Sequence, residues 1–118
     1  MTLLLVRHAL QRGPVDTERI FAALGAYLLA ATAFGTLYWL LDHTWPASIG
    51  PELDASLRAG DARYLSLVSI STLGLGDLLP VSPLARSLVT LEAIGGQMYL
   101  AVLVARLVSL YARQHDPE

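Results

Sequence analysis

Residues 20–41, IFAALGAYLLAATAFGTLYWLL, run for 22 positions without a charged side chain. Wound as a helix at about 1.5 Å per residue, such a segment measures about 33 Å, enough to cross the hydrocarbon of a bilayer. The chain carries a second stretch of the same kind: between Arg86 and Arg106 lie 19 residues with Glu92 as the one Asp, Glu, Lys, Arg or His among them. Charged residues make up 15% of the chain, against about 25% in ordinary soluble domains, so the balance favours lipid. With 118 residues there is chain for one domain. The expectation is an all-α membrane protein with an outer transmembrane helix over 20–41 and an inner one over 83–112.

The flanks of these runs fit that reading. Asp16, Thr17 and Glu18 offer a cap and a favourable charge at the start of the outer helix. Tyr38, Trp39 and Trp45 gather at its far end, as an aromatic belt would. Ser82 followed by Pro83 is a strong start for the inner helix. Arg7, Arg12, Arg19, Arg106 and Arg113 fall on one side of a two-span hairpin, against Arg58, Arg63 and Arg86 on the other. That bias predicts a multi-pass protein of the cell (inner) membrane with both termini cytoplasmic. Residues 1–19 form an N-terminal segment, either a short helix in the membrane interface or a frayed end, and 113–118 a short cytoplasmic tail.

Several function classes are excluded. The chain has no cysteine, and His8, His43 and His115 lack metal-ligand spacing. No nucleophile elbow, zinc-protease or phosphate-loop pattern appears, so an enzyme is not expected, nor is a cofactor or a small-molecule substrate. A net charge of -2 gives no reason to expect nucleic acid.

Between the two spans, residues 42–60 read as an extracellular loop, and Asp61 as the N-cap of a short helix over 61–71. That helix is too short to span a bilayer and suits a re-entrant segment. It runs into TLGLGD, residues 72–77. Non-helical backbone at membrane depth must be buried in protein or line a watery cavity. Alternating glycines allow positive φ at every second residue, which turns successive carbonyls to one side. A row of such carbonyls can replace the hydration shell of a cation, and the C-terminal end of the short helix adds partial negative charge. One chain supplies one wall of such a site, so a cyclic homo-oligomer is expected.

This order (outer helix, loop, short helix, T-x-G-x-G-D, inner helix) resembles the pore domain of the potassium channel family, over residues 20–112. The stretch YLSLVSISTLGLGDLLPVSPLARSLVTLEAIGGQMYLAVLVARLV is similar to the two-span bacterial members. The resemblance implies a homotetramer in the lipid bilayer that conducts potassium ions passively. Its selectivity filter would be Thr72, Leu73, Gly74, Leu75 and Gly76, with potassium held at Thr72, Leu73, Gly74 and Leu75, and Asp77 at the outer mouth. Gly96, 19 residues after Asp77, matches the family's inner-helix hinge, with helix packing as the other use of a glycine there. Neither a voltage sensor nor a ligand-binding domain is expected. The filter departs from the common T-V-G-Y-G pattern at Leu73 and Leu75, and the family's pore-helix tryptophans are missing, which implies an apolar cuff. A weakly selective or non-selective cation channel, or a non-conducting assembly subunit, is the alternative.

Two further features sit on the inner helix. Gln97, Leu100, Val104 and Val108, about one turn apart, would line the cavity and narrow to a hydrophobic gate. Glu92 lies at the depth of the inner filter, and an intramembrane carboxyl needs a partner. Ser69, Ser71 and Thr72 are the candidates, so that Glu92 would support the filter from behind.

Overall fold

The computed structural model describes residues 3–4, 17–50 and 57–114. Three helices carry the architecture: α1, Thr17–Thr44; α2, Ala59–Ile70; and α3, Pro83–Gln114. Both α1 and α3 are long and apolar enough to cross a membrane. At 12 residues, α2 reaches only about 18 Å. The described residues form no strand beyond a single bridge between Ile49 and Pro80. Most of the proposed interfacial segment, positions 51–56 of the loop and the last residues of the tail lie outside the described residues.

Helix α1 continues past the uncharged run at both ends, because polar groups there still serve the helix. Thr44 Oγ1 donates to Leu40 O at 2.8 Å, and His43 Nδ1 lies 3.0 Å from Trp39 O. Helix α3 begins where the sequence predicts, with Ser82 Oγ accepting the Ala85 amide at 3.1 Å. Asp61 is not an N-cap. Helix α2 starts earlier, with Arg58 as its cap residue and no side-chain cap bond. Asp61 sits inside the first turn, where it pairs with Arg58 Nε at 3.2 Å and complements the helix dipole.

Helix α2 runs antiparallel to α1, and the two meet turn by turn. Gly35 faces Arg63, so closely that a Cβ on Gly35 would stand 2.8 Å from Arg63 Cα. One turn on, Ser66 Oγ reaches Ala31 O at 2.6 Å, and a further turn brings Tyr27 OH to Ile70 O at 2.8 Å. Ala23, Ala26, Ala31 and Gly35 form most of the buried stripe of α1, and such small residues let helix backbones approach closely. Helix α3 closes the other side of α2. A Cβ on Gly96 would lie 2.5 Å from Ile70 Cγ1 and 2.9 Å from Ile70 O.

The apolar core sits at the loop end of the hairpin, where Tyr38, Leu41, Ile49, Leu57, Ala62, Leu65 and Ala85 pack together. Asp42, buried beside it, ties the loop: Oδ1 accepts the Ile49 amide at 3.2 Å and Oδ2 the Leu57 amide at 2.9 Å. Ser48 O accepts the Val81 amide at 2.8 Å, and Gly50 N donates to Leu79 O at 2.9 Å. These bonds pin the loop to the segment that joins residue 77 to α3. Both ends of the glycine-rich stretch are thereby fixed, one by α2 and the other by this bracket.

Candidate functional site

The stretch 72–77 leaves α2 through a capped end. Ser71, in helical geometry, donates its amide to Leu67 O at 3.2 Å, and Thr72 N donates to Ser69 O at 3.0 Å. Then the backbone alternates. Thr72, Gly74 and Gly76 have φ of 57°, 55° and 78°. Elsewhere among the described residues, only Ala47 and Gly50 have positive φ. For Gly74 and Gly76 the left-handed region is accessible without strain. Thr72 is β-branched, and its left-handed backbone costs of order 1–3 kcal/mol that surrounding contacts must hold in place.

The hydrogen bonds decide which way the carbonyls face. Gly74 N donates back to Val68 O at 3.2 Å. In a planar trans peptide the preceding carbonyl points opposite to that N–H. The Leu73 carbonyl is therefore turned away from α2, and by the same argument from Thr72 N so is that of Ser71. Every residue from 71 to 77 is exposed in the protomer, Leu73 at 63% and Leu75 at 60%. The Leu73 carbonyl thus stands on an open face of the chain.

The proposed filter residues are held by contacts from α2 and α3. Gln97 Nε2 donates to Thr72 Oγ1 at 3.2 Å, which joins the cavity stripe to the threonine hydroxyl. At the other end, the Asp77 carboxylate stands near the Tyr64 hydroxyl and raises its pKa. Tyr64 was not evident in the sequence, although it stands on α2 about two turns before Thr72. Leu100 is half-buried, and Val104 and Val108 are exposed along α3 below Gln97. Gly96 is buried against Ile70, which makes it a packing residue of the protomer.

Glu92 is 1% exposed, but its partners are not the hydroxyls that depth along the helix suggested. Ser66 Oγ contacts Glu92 Oε1, and Tyr38 OH donates to Oε2 at 2.5 Å. Ser69 and Ser71 instead turn their hydroxyls to Leu65 O and Leu67 O within α2. Tyr38 is accordingly no member of an aromatic belt, since it is fully buried. Trp39 and Trp45, exposed at 36% and 60%, remain at the helix end. The packing behind α2 is not wholly apolar either, because Tyr38, Ser66 and Glu92 place a polar cluster there. Among the described residues, no buried side-chain polar atom lacks a hydrogen-bond partner. Nor do three His, Asp or Glu side chains converge among them as a metal site would require.

Comparison with known proteins gives two matches. A family model described as "Ion channel" matches residues 22–113. Over 53 residues the chain is 42% identical to the inward rectifier potassium channel Kirbac3.1 of Paramagnetospirillum magnetotacticum. That alignment takes in 45% of this chain and 18% of the relative, so the chain spans less than a fifth of that protein's length.

Proposed function

The chain belongs to the ion channel family, and from that premise we propose that four copies assemble around an axis and conduct potassium passively through residues 72–76. It is a membrane protein and a channel, not an enzyme. The observation that carries the proposal is the alternation of positive φ at Thr72, Gly74 and Gly76, with the Leu73 amide plane turned so that its carbonyl faces the open side. That geometry suits a dehydrated cation, and the exposure of the whole segment suits a site completed by other copies. Thr72 supplies the innermost ligand, Asp77 the outer mouth, and Val104 and Val108 the hydrophobic constriction. Glu92 supports the filter from behind, through Ser66 on α2. The arginine bias puts both termini in the cytoplasm.

Leu75 favours weaker selectivity within this reading. A leucine has no hydroxyl to tie the filter to the surrounding helices, and selectivity requires the carbonyls to keep number and spacing for the larger ion. Two measurements test the proposal. Native mass in mild detergent should give a tetramer, and reversal potentials in a bilayer with potassium on one side and sodium on the other should favour potassium. Monomers or dimers alone would refute the pore. A tetramer without flux would mean an assembly subunit, and a reversal potential near zero a non-selective cation channel.

A further inference from the structure

Tyr38 on α1, Ser66 on α2 and Glu92 on α3 meet at one point, each less than 2% exposed. Three helices therefore share a single buried polar contact, and its hydrogens can be counted. Tyr38 OH has one proton and gives it to Glu92 Oε2 at 2.5 Å. Ser66 Oγ also has one proton, yet it touches two oxygens, Glu92 Oε1 and Ala31 O, the latter at 2.6 Å. If Glu92 is a carboxylate, one of these two contacts holds no hydrogen and brings lone pairs together. If Glu92 is a carboxylic acid, every contact closes. Oε1–H donates to Ser66 Oγ, Ser66 donates to Ala31 O, and Tyr38 donates to Oε2.

Among the described residues, the surroundings of Glu92 offer a carboxylate no counter-ion. From α1 the facing titratable groups are Tyr38 and, within electrostatic reach, Tyr27. Asp42, one turn beyond Tyr38, is occupied by the Ile49 and Leu57 amides. From α2, Arg63 stands a turn before Ser66 but is exposed on the side of Gly35 and Trp39. On α3 itself, Arg86 and Arg106 are about 9 Å and about 21 Å away along the axis.

We infer that Glu92 holds its proton in the native protein, and that this proton joins the inner helix to the pore helix behind the filter. Glu92 is thus a positioning residue whose grip on α2 depends on pH. The inference rests on the channel reading only for its effect on conduction. When the proton leaves, Ser66 must choose between Glu92 and Ala31, and the link from α3 through α2 to α1 is broken. The native state holds a proton that the unfolded chain gives up above the ordinary carboxyl range, so this contribution to stability is whole in acid and is lost as pH rises from there, through neutrality, until the native proton leaves.

Glu92→Gln is the discriminating variant, because a glutamine amide reproduces the acid: N–H to Ser66, carbonyl from Tyr38, and nothing to titrate. The experiment is infrared difference spectroscopy of wild type against Glu92→Gln in lipid vesicles, in H₂O and D₂O, with unfolding followed from acid to alkaline pH. The wild type should show a carboxylic-acid C=O band at neutral pH that shifts in D₂O and is absent from Glu92→Gln. Glu92→Gln should lose the wild type's fall in stability from acid toward higher pH, whereas Glu92→Asp, one methylene shorter, should be weaker throughout. Only carboxylate bands assignable to Glu92, or a pH profile of stability for Glu92→Gln that matches the wild type, would overturn the inference. Neither readout requires flux, so an absence of conduction would count against the channel reading and leave the proton assignment standing.

Discussion

Alanine substitution at two adjacent glycines separates packing from bending in the inner helix. Gly95 and Gly96 are neighbours on α3, yet a Cβ at Gly95 meets nothing within 4 Å, while one at Gly96 meets Ile70 Cγ1 at 2.5 Å and Ile70 O at 2.9 Å. Gly95 faces an apolar cavity of about 290 Å³ shared with Phe34, Leu91 and Tyr99, so a methyl group has room. Gly95→Ala should stabilise the protein by the helix-propensity gain of about 1 kcal/mol. Gly96→Ala collects the same gain but must push Ile70 aside. The Ile70 carbonyl cannot swing away freely, because it accepts the Tyr27 hydroxyl at 2.8 Å. Overpacking of this kind costs about 1–3 kcal/mol, so the two variants should differ by about that amount per protomer. Thermal or chemical unfolding of the purified protein reads the difference, and potassium uptake into liposomes reads its effect on the filter, since Ile70 precedes Thr72 by two residues. Ile70→Ala should partly rescue Gly96→Ala, with a favourable coupling of about 0.5–3 kcal/mol in a double-mutant cycle. A role confined to bending predicts no such rescue. Equal stability of Gly95→Ala and Gly96→Ala would refute the reasoning.

Three other outcomes are expected. Asp42→Ala strands the Ile49 and Leu57 amides, at about 1–3 kcal/mol for each left unsatisfied; an unchanged unfolding midpoint would show that Asp42 does not hold the loop. Leu75→Tyr should leave potassium-over-sodium selectivity low, because the Ser66 hydroxyl is already committed to Ala31 and Glu92; a reversal potential moved toward that of a potassium electrode would contradict this. Val108→Ser should raise resting cation leak by wetting the inner mouth, and a tetramer with no added leak would move the gate to the filter.

The two apolar helices and the left-handed glycines were legible in the sequence, because length without charge and the missing Cβ are local properties. Ser82 and Pro83 were legible for the same reason. The partners of Glu92 were not. Rise along a helix gives its depth, which pointed to Ser69, Ser71 and Thr72, but the direction it faces depends on how α3 is rotated against α2. Ser66 and Tyr38 lie on the faces that meet it, and no periodicity in α2 or α1 singles them out. Tyr38 was misread because an aromatic at the end of an apolar run looks the same whether lipid or protein covers it. Asp42, one residue past the uncharged run, read as the first polar position of a loop; its burial depends on amides seven and fifteen residues away. Thr72 shows the limit in the opposite direction, since its left-handed backbone is one that threonine alone would never suggest.

Gly35 and Gly96 notch opposite ends of α2, and they belong to different transmembrane helices. Mechanically, α2 is a bar resting on two bearings, Arg63 on the outer helix and Ile70 on the inner one. Neither bearing has slack, because both contacts involve backbone atoms and not the tips of flexible side chains. A sideways displacement of the inner helix at Gly96 is therefore delivered to the bar at Ile70, while Gly35 acts as its fulcrum. The end of that bar at Ile70 runs on to Thr72, which Gln97 of the same inner helix also holds. On the channel reading proposed above, the segment 72–76 would follow the inner helix through this contact.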